Sequence, residues 1–324
     1  MSSTIVSLTG CVEAELKQVG MLFEQELRSE LACVNTLVRY VSRFRGKMLR
    51  PMLVLLSGKA CGNIVPEHIV LSTVVEMVHM STLVHDDVLD DAELRRKGAT
   101  INHLRGNEAA VLLGDYLISH SYHLCSSIGS QYASRTIART TNEVCEGELL
   151  QIENRNNLDL SEKVYMQIIT RKTASLCGAC CLLGAKQAGA SDELAQAMEH
   201  YGRRLGEAFQ IQDDILDLLG DVREVGKTLG TDIEKGKMTL PMIHFMQNAP
   251  RQHRELLRSM LQQHEPDKGE KIRNLILPSP SIDFARNHAR ELVAQALDAL
   301  RMLPPSDARA ALTHAAQFVV DRPM

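Results

Sequence analysis

The pentapeptide Asp86-Asp87-Val88-Leu89-Asp90 has a near copy in Asp213-Asp214-Ile215-Leu216-Asp217, 127 residues further on. Each closes an apolar run of helical period. Each is soon followed by cations: Arg95, Arg96 and Lys97 after the first, Arg223 and Lys227 after the second. On a helix, positions i and i+4 share a face about 6 Å apart, which pairs Asp86 with Asp90 and Asp213 with Asp217. Parallel carboxylates repel, and the C-terminal end of a helix disfavours them further, so each pair costs stability unless a cation occupies it. Oxygen-only donors select a hard metal. Magnesium prefers octahedral oxygen coordination at about 2.1 Å and is held by one or two carboxylates together with phosphate oxygens. One copy alone reads as a solvated acidic face; the second copy turns the two into halves of one site, with aspartate-bearing helices facing each other across a metal-bridged diphosphate.

Other chemistry-bearing residues are dispersed around these two. Upstream lies Gly46-Lys47-Met48-Leu49-Arg50-Pro51, with Glu76 and His79 about two to three turns before the first aspartates. Taken alone, Lys47 and Arg50 are ordinary helix-start charges and His79 is a hydrogen-bonded, partly buried histidine. Between the copies come Gly147-Glu148-Leu149-Leu150-Gln151 and Lys172-Thr173-Ala174-Ser175-Leu176, and Gln210 shares a helical stripe with Asp213, Asp214 and Asp217. The segment Gly226–Lys237 is rich in Gly and Lys, suited to closing over phosphate oxygens. It lacks the P-loop pattern, and no strand precedes it.

These residues require helices to position them. Aromatics are only 4% of the 324 residues, Trp is absent, and the chain is rich in residues that lose little on entering a helix. Apolar residues recur at three- and four-residue steps in Val12–Leu31, Leu71–Leu89, Ala109–Ile128, Glu162–Gly184, Asp192–Leu219 and Ile282–Leu300, with no alternating run that reads as a strand. Breaks fall at Gly46, Gly62–Pro66, Gly98–Gly106, Asn154–Asp159, Gly220–Gly236, Pro250 and Pro278–Ser281, none long enough to link domains. The expectation is all-α: a single domain over residues 1–324, a bundle of roughly ten helices around a deep central cavity.

A net charge of −4 supplies no field favouring nucleic acid or an anionic membrane. No basic segment followed by an apolar one opens the chain, and no stretch is read as a membrane span, which predicts a cytoplasmic protein without a stable anchor. Eight scattered cysteines fit a reducing compartment. Cys177, Cys180 and Cys181 have no second ligand pair nearby and read as core rather than as a zinc half-site.

In order along the chain, GKMLRP, EMVHMSTLVHDDVLDDAELRRKGAT, GNEAAVLLGDYL, GELLQI, KTASL and GEAFQIQDDILDLLGDVREVGKTLGTDIEKGKMTLP resemble the trans-isoprenyl (polyprenyl) diphosphate synthases. The likeness runs from about Lys47 to Pro241, and Ile282–Arg322 looks like the family's closing helices. The resemblance implies a prenyltransferase that condenses isopentenyl diphosphate head-to-tail with an allylic diphosphate such as farnesyl or geranylgeranyl diphosphate. It assigns Asp86, Asp90, Asp213 and Asp217 to three Mg2+ ions bound with the allylic diphosphate. Arg95, Lys172, Lys227 and Lys237 would hold that diphosphate, and Lys47, Arg50, His79 and Arg96 the isopentenyl diphosphate. Arg95 and Arg96 would diverge by about 100° around a helix and serve one anion each. Lys172, Thr173 and Gln210 would stabilise the allylic cation formed when pyrophosphate departs. A homodimer is implied as well. Two positions depart from the family pattern, Arg45 for a glycine and Met48 for an arginine, both at the isopentenyl pocket.

Family members limit product length with bulky side chains about a turn before the first aspartates, where Ser81, Thr82 and Val78 stand here. An open tunnel and a product of about C30 to C50 follow from that resemblance. A short-chain synthase making C15–C20 products remains an alternative, if another helix floors the tunnel. A terpene cyclase would need aromatic walls, and a non-catalytic synthase subunit would tend to lose aspartates that this chain keeps.

Overall fold

The computed structural model describes residues 10–44, 46–95, 98–219, 231–262 and 268–321, and these are helical apart from one hairpin of two-residue strands. In chain order they form α1 (Glu13–Glu26), α2 (Ala32–Ser42), α3 (Leu49–Cys61) and α4 (Pro66–Leu89), then β1 (Leu94–Arg95) and β2 (Gly98–Ala99). There follow α5 (Ile101–Arg105), α6 (Asn107–Ser126), α7 (Gln131–Glu153) and α8 (Glu162–Ile169). A π-helical turn, Thr170–Ala174, joins α8 to α9 (Ser175–Gln187). The rest are α10 (Asp192–Leu219), α11 (Thr231–Glu234), α12 (Leu240–Asn248), α13 (Arg251–Gln262), α14 (Lys268–Ile276), α15 (Ser281–Ala299) and α16 (Asp307–Val320). The chain divides into two compact units. One comprises Met1–Asn142, Leu176–Gly202 and Ala299–Ala315; the other comprises Glu143–Ser175, Arg203–Asp298 and Ala316–Met324.

In the first unit α4 is the central element, packed against α1, α3 and α6. Leu71, Val74, Val75, Met77 and Val78 are wholly enclosed, so the apolar material surrounds the helix rather than striping it. Pro66 starts α4 where a missing N–H costs nothing. The buried His68 then accepts the Val65 N–H at Nδ1 (3.0 Å) and donates from Nε2 to the Gly184 carbonyl in α9 (2.9 Å). Gly184 has to lack a side chain, because a Cβ there would lie 2.2 Å from the Val54 carbonyl of α3. Cys177, Cys180 and Cys181 of α9 are buried core thiols, and burial pushes all three up.

In the second unit α8 packs against α12, and α13 against α14. His244 of α12 stacks on Phe284 of α15 at 4.2 Å and shares a 2.9 Å hydrogen bond with the buried Ser281 hydroxyl.

Each of the six stretches expected to be helical overlaps a helix, Asp192–Leu219 to the residue, while Val12–Leu31 overruns the end of α1 at Glu26 by five residues. Glu162–Gln187 is also apolar and long enough to cross a membrane, with a mean hydropathy of 1.2 over its best window, which the sequence reading did not register. That window is 78% buried inside the protein, which marks it as core.

Candidate active site

The first aspartate group is placed by the way α4 ends. Asp91 adopts a left-handed conformation (φ 47°), Ala92 N–H bonds back to Asp87 O (2.9 Å) and Asp91 N–H to Val88 O (3.2 Å). This is a Schellman stop with aspartate where glycine is usual. It sets half-buried Asp86 in the last turn and half-buried Asp90 at the cap, at the negative end of the helix dipole. Asp87 points elsewhere. It is buried and paired with Arg95, whose Nε and Nη2 both lie 2.8 Å from its Oδ1. Arg95 is in β1, opposite Gly98, and not on a helix, so the 100° divergence expected of Arg95 and Arg96 does not apply. The chain has already been turned into a hairpin, held by Thr100 and Asn102 side chains on the Ala92 carbonyl. In the same unit Lys47 is exposed, half-buried Arg50 lies in the first turn of α3, and half-buried His79 lies within α4. Arg96 and Lys227 lie outside the described residues, as does Arg45.

The Ser81 hydroxyl is buried and donates to the Gly114 carbonyl of α6 (2.8 Å), while Thr82 donates to its own helix at His79 O (2.8 Å).

The second unit contains a pocket of about 110 Å³ whose lining includes Lys172, Thr173, Gln210, Asp214, Asp232 and Lys237. Four of the sequence-read site residues are thus brought together. The π turn carries Lys172 and Thr173, with a backbone wider than the α-helix on either side. Gly147 of α7 lies against that turn: a Cβ there would sit 2.6 Å from Lys172 N and 3.0 Å from Lys172 Cα. Next to it, Glu148 forms an ion pair with Lys172.

Three side-chain hydrogen bonds tie this segment to α10. Thr170 donates to the buried Glu207 (2.7 Å), Thr173 Oγ1 donates to Gln210 Oε1 (2.9 Å), and Tyr165 Oη donates to Asp214 Oδ2 (2.7 Å). Gln210 Nε2 in turn donates to Asp214 Oδ1 (2.8 Å). Burial pushes the Asp214 carboxyl well up, and the charges of Asp232 and Asp213 add to it, against the bonds from Gln210 and Tyr165. Burial, then the Asp214 charge, raises the Tyr165 phenol as well. Asp213 and Asp217 are half-buried in the last two turns of α10, and Asp217 Oδ2 accepts the Asp232 N–H (3.1 Å).

Tyr165 and Glu207 are contributors that the sequence reading did not single out. A phenol in an apolar helical stripe has to bond something when buried, and that was the available signal for Tyr165.

The model for the family described as polyprenyl synthetase matches residues 32–276. The chain belongs to the polyprenyl synthetase family. It is 34% identical over 312 residues to the octaprenyl diphosphate synthase of Escherichia coli (strain K12), covering 95% of this chain and 96% of that one. It is likewise 34% identical to an all-trans-nonaprenyl-diphosphate synthase of Rhodobacter capsulatus, covering 96% of each. Among solved structures, a polyprenyl synthase from Caulobacter crescentus CB15, complexed with calcium and isoprenyl diphosphate, is similar with a TM-score of 0.93 and 33% identity, covering 99% of each chain. In this polyprenyl synthetase the pocket is therefore a candidate part of the active site.

The donor set also fits a hard divalent ion. Asp86 and Asp90 in one unit, and Asp213 and Asp217 in the other, offer carboxylate oxygens, the donors that hard divalent ions take.

Proposed function

We propose that this polyprenyl synthetase is a long-chain trans-polyprenyl diphosphate synthase, adding isopentenyl diphosphate head-to-tail to an allylic diphosphate to reach about C30 to C50. The observation that carries it is one pocket in which Lys172, Lys237, Thr173 and Gln210 line the same space as the buried Asp214 and the half-buried Asp232. Relatives named for octaprenyl and nonaprenyl products, covering nearly the whole chain, support the long product.

Asp86, Asp90, Asp213 and Asp217 would hold Mg2+ with the allylic diphosphate. A divalent ion, three in the full complement, supplies Lewis-acid stabilisation of the leaving pyrophosphate. The calcium and isoprenyl diphosphate in the Caulobacter structure support such a pairing of metal and substrate. Lys172 and Lys237 line the pocket as fixed cations for phosphate oxygens, with Arg95 and Lys227 assigned to the same anion. Lys47, Arg50, His79 and Arg96 would receive isopentenyl diphosphate. Thr173 and Gln210 place oxygen dipoles in the pocket, which favour an allylic cation without forming a bond to it.

One polyprenyl synthase domain over residues 1–324 is supported by a single family match that runs through both compact units. A homodimer, which the family resemblance implies, is part of the proposal. Cytoplasmic residence completes the proposal. Incubation with farnesyl diphosphate and labelled isopentenyl diphosphate tests it: chromatography should show products longer than C20, and a ladder ending at C20 or below overturns the long-chain assignment.

A further inference from the structure

We infer that Tyr165 is a positioning residue that sets the polarity of the Thr173 hydroxyl, acting through Asp214 and Gln210; this rests on the proposed prenyl transfer. The four groups form one directional chain. Tyr165 Oη donates to Asp214 Oδ2 (2.7 Å), leaving Oδ1 to accept Gln210 Nε2 (2.8 Å). Gln210 turns its NH2 to Asp214 and so leaves its carbonyl oxygen to Thr173. Thr173 then donates its single proton to Gln210 Oε1 (2.9 Å). What the hydroxyl presents to the pocket is therefore lone pairs, the end of the dipole that favours a cation.

The chain is sealed at its far end. Tyr165 and Asp214 are buried, at 4% and 6% exposure, and both also line the pocket. Without the phenol, Asp214 Oδ2 loses its donor and the side chain can rotate away from Gln210. The amide is then able to flip, and Thr173 to point its proton at the reacting carbon. Residues that do no chemistry would thus fix the sign of a dipole that does.

The test is a double-mutant cycle of Tyr165→Phe and Thr173→Val in the full-length enzyme. Readouts are kcat and KM for farnesyl and isopentenyl diphosphates with saturating Mg2+, and circular dichroism for folding. Tyr165→Phe should lower kcat about tenfold while both KM values stay within about twofold, since the loss lies in the transition state. In the Thr173→Val background the same change should cost less than about twofold, because the hydroxyl it orients is gone. Effects that multiply in the double mutant overturn the inference, as does a Tyr165→Phe enzyme with wild-type kcat or one that does not fold. Failure of the wild-type enzyme to elongate farnesyl diphosphate would instead refute the proposed reaction itself.

Discussion

Alanine at Gly147 tests how tightly the catalytic segment is held. The added methyl would lie 2.6 Å from Lys172 N, 2.8 Å from Arg171 Cβ and 3.0 Å from Lys172 Cα. Two of these three are backbone atoms, which cannot swing aside as a side-chain tip can. Easy contact resumes at about 3.4 Å, so α7 and the π turn must part by roughly 0.8 Å. Lys172 and Thr173 ride on that turn, and a shift approaching 1 Å at a reacting group costs on the order of a hundredfold in rate. Stability moves less. Overpacking costs about 1–3 kcal/mol, and alanine returns about 1 kcal/mol of helix propensity, a net loss of about 0–2 kcal/mol. Steady-state assays with farnesyl and labelled isopentenyl diphosphates should therefore show kcat/KM down about a hundredfold. The melting temperature should fall by no more than about 8 °C. Wild-type kcat/KM in Gly147→Ala would refute the idea that this close approach positions the pocket.

Chelating divalent metal should abolish turnover and added Mg2+ restore it, while Asp86→Ala and Asp213→Ala should each cost about a thousandfold in kcat/KM; turnover in chelator removes the metal from the scheme. Asp91→Gly should raise the urea midpoint by the equivalent of about 0.5 kcal/mol, since glycine occupies the left-handed cap of α4 without strain. Burial holds His68 below the ordinary 6.5, so its folded form resists a proton that the unfolded chain accepts. The stability it contributes is therefore present above about pH 6.5 and lost as pH falls below that value. His68→Gln should flatten that part of the slope in urea midpoints measured between about pH 7.5 and 5.5.

Much of this was legible because it is written locally. The aspartate pentapeptides repeat with their apolar spacers, and Asp192–Leu219 carries its helical period from end to end. What the residues do with their neighbours was less so. Helix α7 escaped notice over 23 residues, since its buried face is Ala133, Thr136, Ile137, Thr140, Val144 and Gly147, small and hydroxyl-bearing positions that do not read as an apolar stripe. Arg95 was placed on a helix because nothing in Asp91 announces a left-handed residue; aspartate tolerates it, and the Schellman stop is visible only in the backbone bonds. Tyr165 finds Asp214 across 49 positions of sequence, and no pattern of spacing encodes such a bond. The bond from Ser81 to the Gly114 carbonyl spans 33 positions and is likewise not encoded by spacing.

The wide turn at Thr170–Ala174 has a consequence for how this stretch can vary. Removing any one of its residues would let the segment wind as an uninterrupted α-helix, with better backbone geometry than it has now. It would also take away the widened backbone that presents Lys172 and Thr173 to the pocket. Selection for local regularity and selection for catalysis pull in opposite directions here, so a loss of one residue would do more harm than most exchanges of residue type.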